Sequence, residues 1–432
     1  MVFVVSHTCV CAASPVSARN GRGHDGSRPV RSSVVSARRS VVTFALLTAL
    51  FAAGYGVMFT MLDDFRDQYG ISASALGLVV AIGFFSSFAA QVLLAPLADR
   101  GHARHLVYVG MLLNIAGLAG MAASRGVVAL LVARTVMGLG AGMAQPAARR
   151  IVILADPDNL GRNLGYLLTS DVGGFAAGPA VASVLVGPFG IPAPFIVIAV
   201  LTVACLPVIA RIRVDESTAA DAPRERFAFD LLRNRSYAAA LTLGAAVFLM
   251  IGTFDALWVL VLSDLHASEW IANIGITLFA LPIMVLGPIG GRLAQRVGPF
   301  RLGAVGLAIG ALFMFLYGHM PTGAAMMAVA VAHSFSDGLT VSSTSVAVGI
   351  TVPPERQAGA QGLLGGVQTI VGGLTALAAG WLYDHHGRTA AYTACAAGML
   401  VLVVVGSVWA GRAWFRRPGP EGVPVESLTV AG

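Results

Sequence analysis

Twelve apolar runs, each long enough to cross a lipid bilayer as a helix, occupy most of this chain. A membrane-crossing helix needs about 20 apolar residues. The runs do not alternate between apolar and polar residues, so helices are favoured over the strands of a β-barrel. Only 11% of the 432 residues are charged, so lipid must be the solvent for most of the protein. The sequence therefore predicts an all-α membrane protein with spans near 41–62, 76–98, 105–123, 127–148, 163–186, 194–210, 236–262, 270–291, 302–318, 323–350, 359–382 and 390–410.

The arginines predict how these spans are oriented. All 28 basic residues are arginine, and 24 of them fall in segments on one side of the membrane when the N-terminus is placed inside. Only Arg66, Arg125 and Arg388 fall outside, and Arg134 lies within a span. Because cytoplasmic loops carry the excess of basic residues, we expect a multi-pass protein of the inner (cytoplasmic) membrane with both termini in the cytoplasm.

A repeated charged turn divides the chain into two halves. Leu97-Ala98-Asp99-Arg100 lies between the second and third spans, and Leu293-Ala294-Gln295-Arg296 lies between the eighth and ninth, with Gln295 196 residues after Asp99. A polar stretch of mixed charge separates six spans from six. This pattern predicts two pseudo-symmetric six-helix bundles related by an axis normal to the membrane. The predicted parts are a disordered cytoplasmic tail (1–39), a first bundle (40–210), a cytoplasmic linker (211–235), a second bundle (236–412) and a cytoplasmic tail (413–432).

The first of these turns resembles the loop between the second and third helices of the major facilitator superfamily, whose usual pattern is G-x-L-A-D-R-x-G-R-R. Residues 95–104 keep the Asp-Arg pair of that pattern and its last Arg. They depart from it at Ala95, His102 and Ala103. The copy in the second half keeps two glycines but has no Asp; its matching residues are Gly291, Gln295, Arg296 and Gly298. The resemblance covers residues 40–412 and implies a secondary transporter whose halves rock around a central site.

Asp99 is the candidate for a conformational latch, together with Arg100 and Arg104 of the same motif. A carboxylate at the cytoplasmic face is stabilised by the positive N-terminal end of a helix, and the eleventh span begins there near Gly359. Gln295 has no net charge to place against a helix end, so the predicted latch is one-sided. The alternative is that Asp99 and Arg100 only end a helix and follow the charge rule.

Arg134 is a candidate for proton coupling. Its surroundings, Arg134-Thr-Val-Met-Gly-Leu-Gly, resemble the R-x-x-x-G-x-G motif of the superfamily's fourth helix, where the Arg is tied to that role. A buried Arg is costly in hydrocarbon and is expected to face a partner or a wet cavity. The alternative is that the side chain snorkels toward the headgroups.

The fifth span carries Gly174, Gly178 and Pro179, which resemble the superfamily's antiporter motif G-x-x-x-G-P-x-x-G-G. Exporters carry this motif, so the resemblance implies export. The motif's final pair of glycines is replaced by Ala182 and Ser183. The alternative is ordinary packing of small residues, since Gly-x-x-x-Gly is common in membrane helices.

Three acidic residues lie within apolar runs: Asp171, Asp255 and Asp337. His333 precedes Asp337 by one helical turn, so the two side chains share a helix face and can share a proton or a hydrogen bond. Each acid is a candidate proton carrier or a selector of cationic substrates. The alternatives are that Asp255 is solvated near the outer end and that His333 is a structural, hydrogen-bonded residue.

These features together predict a proton-coupled exporter of small apolar or cationic molecules. Its partners are the lipid bilayer, a small-molecule substrate and protons, with no nucleic acid, no metal and a monomeric state. Its energy source is the proton gradient, with no cofactor, and no motif or metal-ligand spacing points to an enzyme. ATP-driven transport by this chain alone is excluded, because without Lys the phosphate-binding G-x-x-x-x-G-K-[ST] cannot occur. The alternatives are a metabolite-uptake symporter or facilitator of the same superfamily and a non-transporting membrane sensor.

Overall fold

The computed structural model describes residues 30–211 and 223–415, and it is helical through nearly all of them, with no β-strand in those ranges. The longest helices follow the apolar runs, as expected where every backbone polar group must be satisfied within its own segment. The α-helices are α1 (Val30–Thr60), α2 (Leu62–Tyr69), α3 (Ala73–Leu93), α4 (Ala103–Ala123), α5 (Val127–Ala155), α6 (Leu160–Phe189), α7 (Pro192–Arg211), α8 (Arg235–Asp264), α9 (Glu269–Val297), α10 (Pro299–Tyr317), α11 (Gly323–Thr340), α12 (Ser343–Thr351) and α13 (Gln357–Ala410).

Eleven helical segments among the described residues are long and apolar enough to cross a membrane. The last of them, Pro354–Trp414, contains two crossings: α13 has 54 residues, which at about 1.5 Å per residue gives roughly 80 Å, far more than one bilayer needs. The helix is broken at Gly387, where φ is +79°, a conformation that favours glycine. The prediction of twelve spans is therefore confirmed.

The two halves share a core at one side of the membrane only. We call this the linker side, because α7 ends and α8 begins there. One apolar core at the linker side joins first-half residues to Ala294, Val346 and Ala358 of the second half. The other core of the first half contains first-half residues alone, and includes Phe65 and Phe195. The halves are thus packed together at the linker side and have separate cores away from it.

The predicted boundaries can be placed on these elements. The helix α1 begins at Val30, so it extends ten residues into the predicted tail 1–39, whose residues 1–29 lie outside the described residues. Residues 212–222 of the predicted linker also lie outside them, and the rest of the linker contains a 3₁₀ turn at Phe229–Arg233. Another 3₁₀ turn, Gly411–Trp414, follows α13, and residues 416–432 of the predicted C-terminal tail lie outside the described residues.

Candidate transport site and cross-half junctions

The first junction between the halves is formed by Asp99, Arg150, Ala358 and Gly359. One carboxylate oxygen of Asp99 accepts the backbone N–H of Ala358 at 2.9 Å, and the other accepts the N–H of Gly359 at 2.7 Å. The Nε of Arg150 donates to the first oxygen at 3.1 Å. Asp99 is 1% exposed and Arg150 is 2% exposed. A buried carboxylate therefore meets two free N–H groups and the positive dipole end of a helix from the other half.

The first turn of α13 is held in place for this contact by its own half. Pro353 and Pro354 stop the preceding helix, and α13 begins at Gln357. The Gln357 side-chain amide donates to the carbonyls of Gly349 and Val352 at 3.0 and 2.7 Å. These bonds fix the first turn, so its N–H groups point at Asp99.

The other two residues of the predicted latch lie beside the first junction and make different contacts. Arg100 donates to the carbonyls of Pro223 and Arg224 in the linker, at 3.2 and 3.4 Å. Arg104 donates to the carbonyl of Ala210 near the end of α7. Arg100 therefore connects the turn to the linker and Arg104 connects it to α7.

Arg150 was not among the predicted latch residues. The sequence counted it with the cytoplasmic arginines, and nothing in the charge pattern distinguishes it from its neighbours. Its side chain is buried against Asp99 because α5 ends on the linker side next to the turn that carries this acid. It supplies the positive charge that balances Asp99 from within the first half.

A second junction, formed by Gln295 and the N-terminal end of α6, has the same arrangement in the opposite direction. The Gln295 side-chain oxygen accepts the N–H of Gly161 at 2.9 Å. Its amide nitrogen donates to the carbonyls of Pro157 and Asp158 at 3.2 and 3.1 Å. An uncharged side chain thus satisfies helix-end groups by hydrogen bonding alone. The prediction of a one-sided latch concerns the charged contact, which Asp99 makes and Gln295 does not.

The remaining residues of the second-half motif shape this junction. Gly291 lies so close to α6 that a Cβ there would overlap the carbonyl oxygen of Gly161. Gly298 has φ of +105°, which allows the tight turn between α9 and α10. Arg296 is exposed at this surface. Gly291 thus permits the close approach, Gly298 permits the turn, and Gln295 makes the polar contacts.

Arg134 lies inside the first half and does not snorkel. It is 1% exposed, and its guanidinium carbon stands 4.0 Å from the centre of the Tyr55 ring. Its Nε and Nη2 atoms are buried without a hydrogen-bond partner. A Cβ on Gly83 would overlap the guanidinium, so a glycine is needed at that position of α3.

Two of the three candidate acids, Asp171 and Asp255, have different surroundings. Asp171 is half-buried, and the charge acting on it is that of Arg149. Arg149 was counted among the cytoplasmic arginines, but it is half-buried beside Gly365 of the second half. Asp255 has an exposed side chain within α8.

His333 and Asp337 form a buried pair in the second half. The Nε2 of His333 lies 3.4 Å from a carboxylate oxygen of Asp337, and its Nδ1 lies 3.0 Å from the Tyr317 hydroxyl. The ring of Phe313 stacks on His333 with 4.9 Å between ring centres. The structure thus places the two residues on one helix face, as their spacing predicts.

The glycines of the predicted antiporter motif pack α6 against α1. A Cβ on Gly174 would overlap the carbonyl oxygen of Ala49, and a Cβ on Gly178 would come within 2.5 Å of the Gly56 carbonyl carbon. Pro179 follows inside α6, where it removes a backbone hydrogen bond. The motif therefore sets a close contact between the first and fifth spans.

Comparisons with known proteins agree with this architecture. The sequence profile of the Major Facilitator Superfamily matches residues 44–262 and 241–429. Multidrug resistance protein MdtH is 30% identical over 141 residues in Aeromonas hydrophila (32% of this chain, 36% of that protein) and over 153 residues in Edwardsiella ictaluri (35% and 38%). These matches span little more than a third of the relatives' length.

Solved structures share the fold over most of both chains. The human organic anion transporter MFSD10 (TETRAN) has a TM-score of 0.70 at 18% identity, covering 86% of this chain and 99% of that one. The proton:xylose symporter XylE has a TM-score of 0.72 at 12% identity, covering 90% and 98%. At these identities the likeness concerns the fold alone. With twelve spans in two halves and a family profile across both, the chain belongs to the major facilitator superfamily of membrane transporters.

Proposed function

We propose that this protein exports small molecules across the inner membrane in exchange for protons, by alternating access. The observation that carries the proposal is the first junction, in which Asp99 of one half is bound to the end of a helix in the other. Such a contact is made in one arrangement of two rocking halves and lost in the other. Asp99 with Arg150 then forms the latch of the closed linker side.

The conformation supports this reading of the cycle. Both junctions lie at the linker side, where the halves also share an apolar core, whereas the first half has a separate core away from it. With both termini in the cytoplasm, this arrangement is closed to the cytoplasm. Opening it requires both junctions to break, so the two together set the stability of this state.

The direction of transport rests on the fifth span and on the relatives. Gly174 and Gly178 pack α6 tightly on α1, as the antiporter motif requires, and Pro179 follows them. The relatives that match part of the chain are named as multidrug resistance proteins. Uptake coupled to protons is the second candidate, because the proton:xylose symporter XylE has the same fold.

We place the proton on the intramembrane acids Asp171, Asp255 and Asp337. Asp171 has Arg149 as its counter-charge, Asp337 lies 3.4 Å from the His333 ring, and Asp255 is exposed within its span. The expectation of apolar or cationic substrates rests on these acids. Arg134 meets none of them at ion-pair distance among the described residues, so its part in coupling requires movement toward an acid.

The test uses inverted membrane vesicles with an imposed proton gradient, from a strain that lacks its own pumps. An exporter accumulates substrate in vesicles acidified inside and releases protons from the lumen as it does so. A symporter moves substrate and protons out together.

The same assay identifies the acid that carries the proton, with the variants Asp171→Asn, Asp255→Asn and Asp337→Asn. The variant of that acid keeps downhill transport of substrate and loses the coupling of transport to the proton gradient. Asp67→Asn, at an exposed residue of α2, is the matched control. Coupling unchanged in all three variants contradicts the proposal.

A further inference from the structure

Arg134 is a buried cation with no carboxylate partner. Among the described residues no acid lies at ion-pair distance from it, and two of its nitrogens, Nε and Nη2, donate to nothing. The other buried cation of α5, Arg150, is paired with Asp99. An unpaired buried charge is among the most costly features that a folded protein can carry. A bound anion that accepts hydrogen bonds from the Arg134 guanidinium would remove this cost.

The side chains around Arg134 indicate the chemistry of the rest of that anion. The Tyr55 ring covers one face of the guanidinium, and the rings of Phe59, Phe84 and Phe175 lie 5.2, 5.6 and 6.4 Å from Tyr55 between ring centres. Phe59 and Phe84 are half-buried and Phe175 is exposed. The unpartnered N–H groups lie in the plane of the guanidinium and are not covered by the ring on its face. Flat aromatic surface thus adjoins a fixed positive charge.

We infer that Arg134 and this aromatic cluster bind amphiphilic organic anions, with a carboxylate on Arg134 and a flat apolar body against Tyr55, Phe59 and Phe175. The inference rests on the proposed transport of small molecules and names a substrate class for it. It differs from the sequence-based expectation of cationic substrates, because Asp171 and Asp337 already face cationic or ionisable partners of their own. The guanidinium fork suits a carboxylate because it donates two parallel hydrogen bonds.

The test measures equilibrium binding to purified protein in lipid nanodiscs, with three probes that share one aromatic body. These are naphthalene-2-carboxylate, naphthalene-2-carboxamide and 2-naphthylmethylammonium. The wild type is expected to bind the carboxylate at least about tenfold more tightly than the ammonium, since hydrogen bonds to charged groups change affinity by that order. Arg134→Gln is expected to abolish this preference, and Arg134→Lys to keep part of it. Arg125→Gln is the matched control, because Arg125 also lies over a tyrosine ring but is exposed.

A second pair of variants moves the guanidinium without removing its charge. Gly83→Ala places a Cβ where the guanidinium lies and should lower carboxylate affinity, whereas Gly77→Ala on the same helix meets open space and should leave it unchanged. The inference is overturned if the protein binds the ammonium more tightly than the carboxylate, or if the preference for the carboxylate survives Arg134→Gln. It is also overturned if the protein binds chloride and has no affinity for naphthalene-2-carboxylate. Because no gradient is used, these results are independent of the direction and coupling of transport.

Discussion

The two junctions between the halves share a geometry and differ in charge. Asp99 accepts the N–H of Ala358, and Gln295, 196 residues later, accepts the N–H of Gly161, which lies 197 residues before Ala358. Arg150 of the first junction corresponds at the same spacing to Val346–Ala347, both buried and apolar. Both halves thus place a side-chain oxygen acceptor at a helix end of the other half. Of the two junctions, the first contains an ion pair and the second does not.

The difference indicates where the stability of the closed linker side is concentrated. A hydrogen bond that involves a charged group contributes about 1.5–3 kcal/mol, against about 0.5–1.5 kcal/mol for a neutral one. The first junction is also almost fully buried, whereas Gln295 is half-buried and water competes for its partners. We therefore expect the first junction to act as the latch and the second mainly to set the fit between α6 and α9.

Removing the charge of the first junction is expected to have the largest effect on export. Asp99→Ala leaves Arg150 buried without its acid and frees two helix-end N–H groups, a change that costs about 3–5 kcal/mol for buried pairs. Export is expected to fall at least about tenfold. Efflux from a pump-deficient strain, normalised to the amount of protein in the membrane, measures it. Asp67→Ala controls for the loss of an exposed acid. If Asp99→Ala exports as well as the wild type, the first junction has no part in the mechanism.

Gly291→Ala breaks the second junction by shape rather than by charge. The added Cβ overlaps the carbonyl oxygen of Gly161, and overpacking of this kind costs about 1–3 kcal/mol. The α6–α9 contact should separate and export should fall by about fivefold or more, in the same efflux assay. Gly380→Ala, where a Cβ meets open space, is the matched control. Equal export in both variants shows that this contact is not tight in the membrane.

The first junction can also be converted into a copy of the second. Asp99→Gln alone leaves Arg150 buried opposite a neutral group, whereas Asp99→Gln with Arg150→Val removes the stranded charge. The double variant should therefore export better than Asp99→Gln alone, with a coupling energy of about 1–3 kcal/mol between the two sites. Thermal unfolding of the purified variants checks the same order. Additive losses contradict a direct partnership between Asp99 and Arg150.

Gln295→Ala should have the smallest effect. It removes neutral hydrogen bonds from a half-buried site and leaves the glycine contact intact, so we expect a cost of about 1 kcal/mol and export within about fivefold of wild type. The efflux assay above measures it beside Asp99→Ala. A loss as large as that of Asp99→Ala reverses the ranking of the two junctions.

Much of this architecture could be read from the sequence, and the parts that could not depend on side-chain direction. The spans, the repeat and the meeting of Asp99 with the helix near Gly359 follow from hydropathy and from helix direction. Arg149 and Arg150 are adjacent in the chain but about 100° apart around α5, so one lies near Gly365 and the other meets Asp99. Charge counting treats both alike. Gln295 was identified as part of the second-half motif, but its contact with α6 was not predicted, because hydrogen bonds to backbone groups leave no charge pattern.

The most direct test of the account is the distance across the linker side. His105 and Arg301 are exposed at the linker-side ends of α4 and α10. Spin labels at His105→Cys and Arg301→Cys, in a cysteine-free background, report the separation of the halves. Pulsed electron paramagnetic resonance in nanodiscs measures this distance. We expect a dominant short distance when Asp99 is present and a shift toward longer distances in Asp99→Asn. A distance distribution that Asp99→Asn leaves unchanged contradicts the latch.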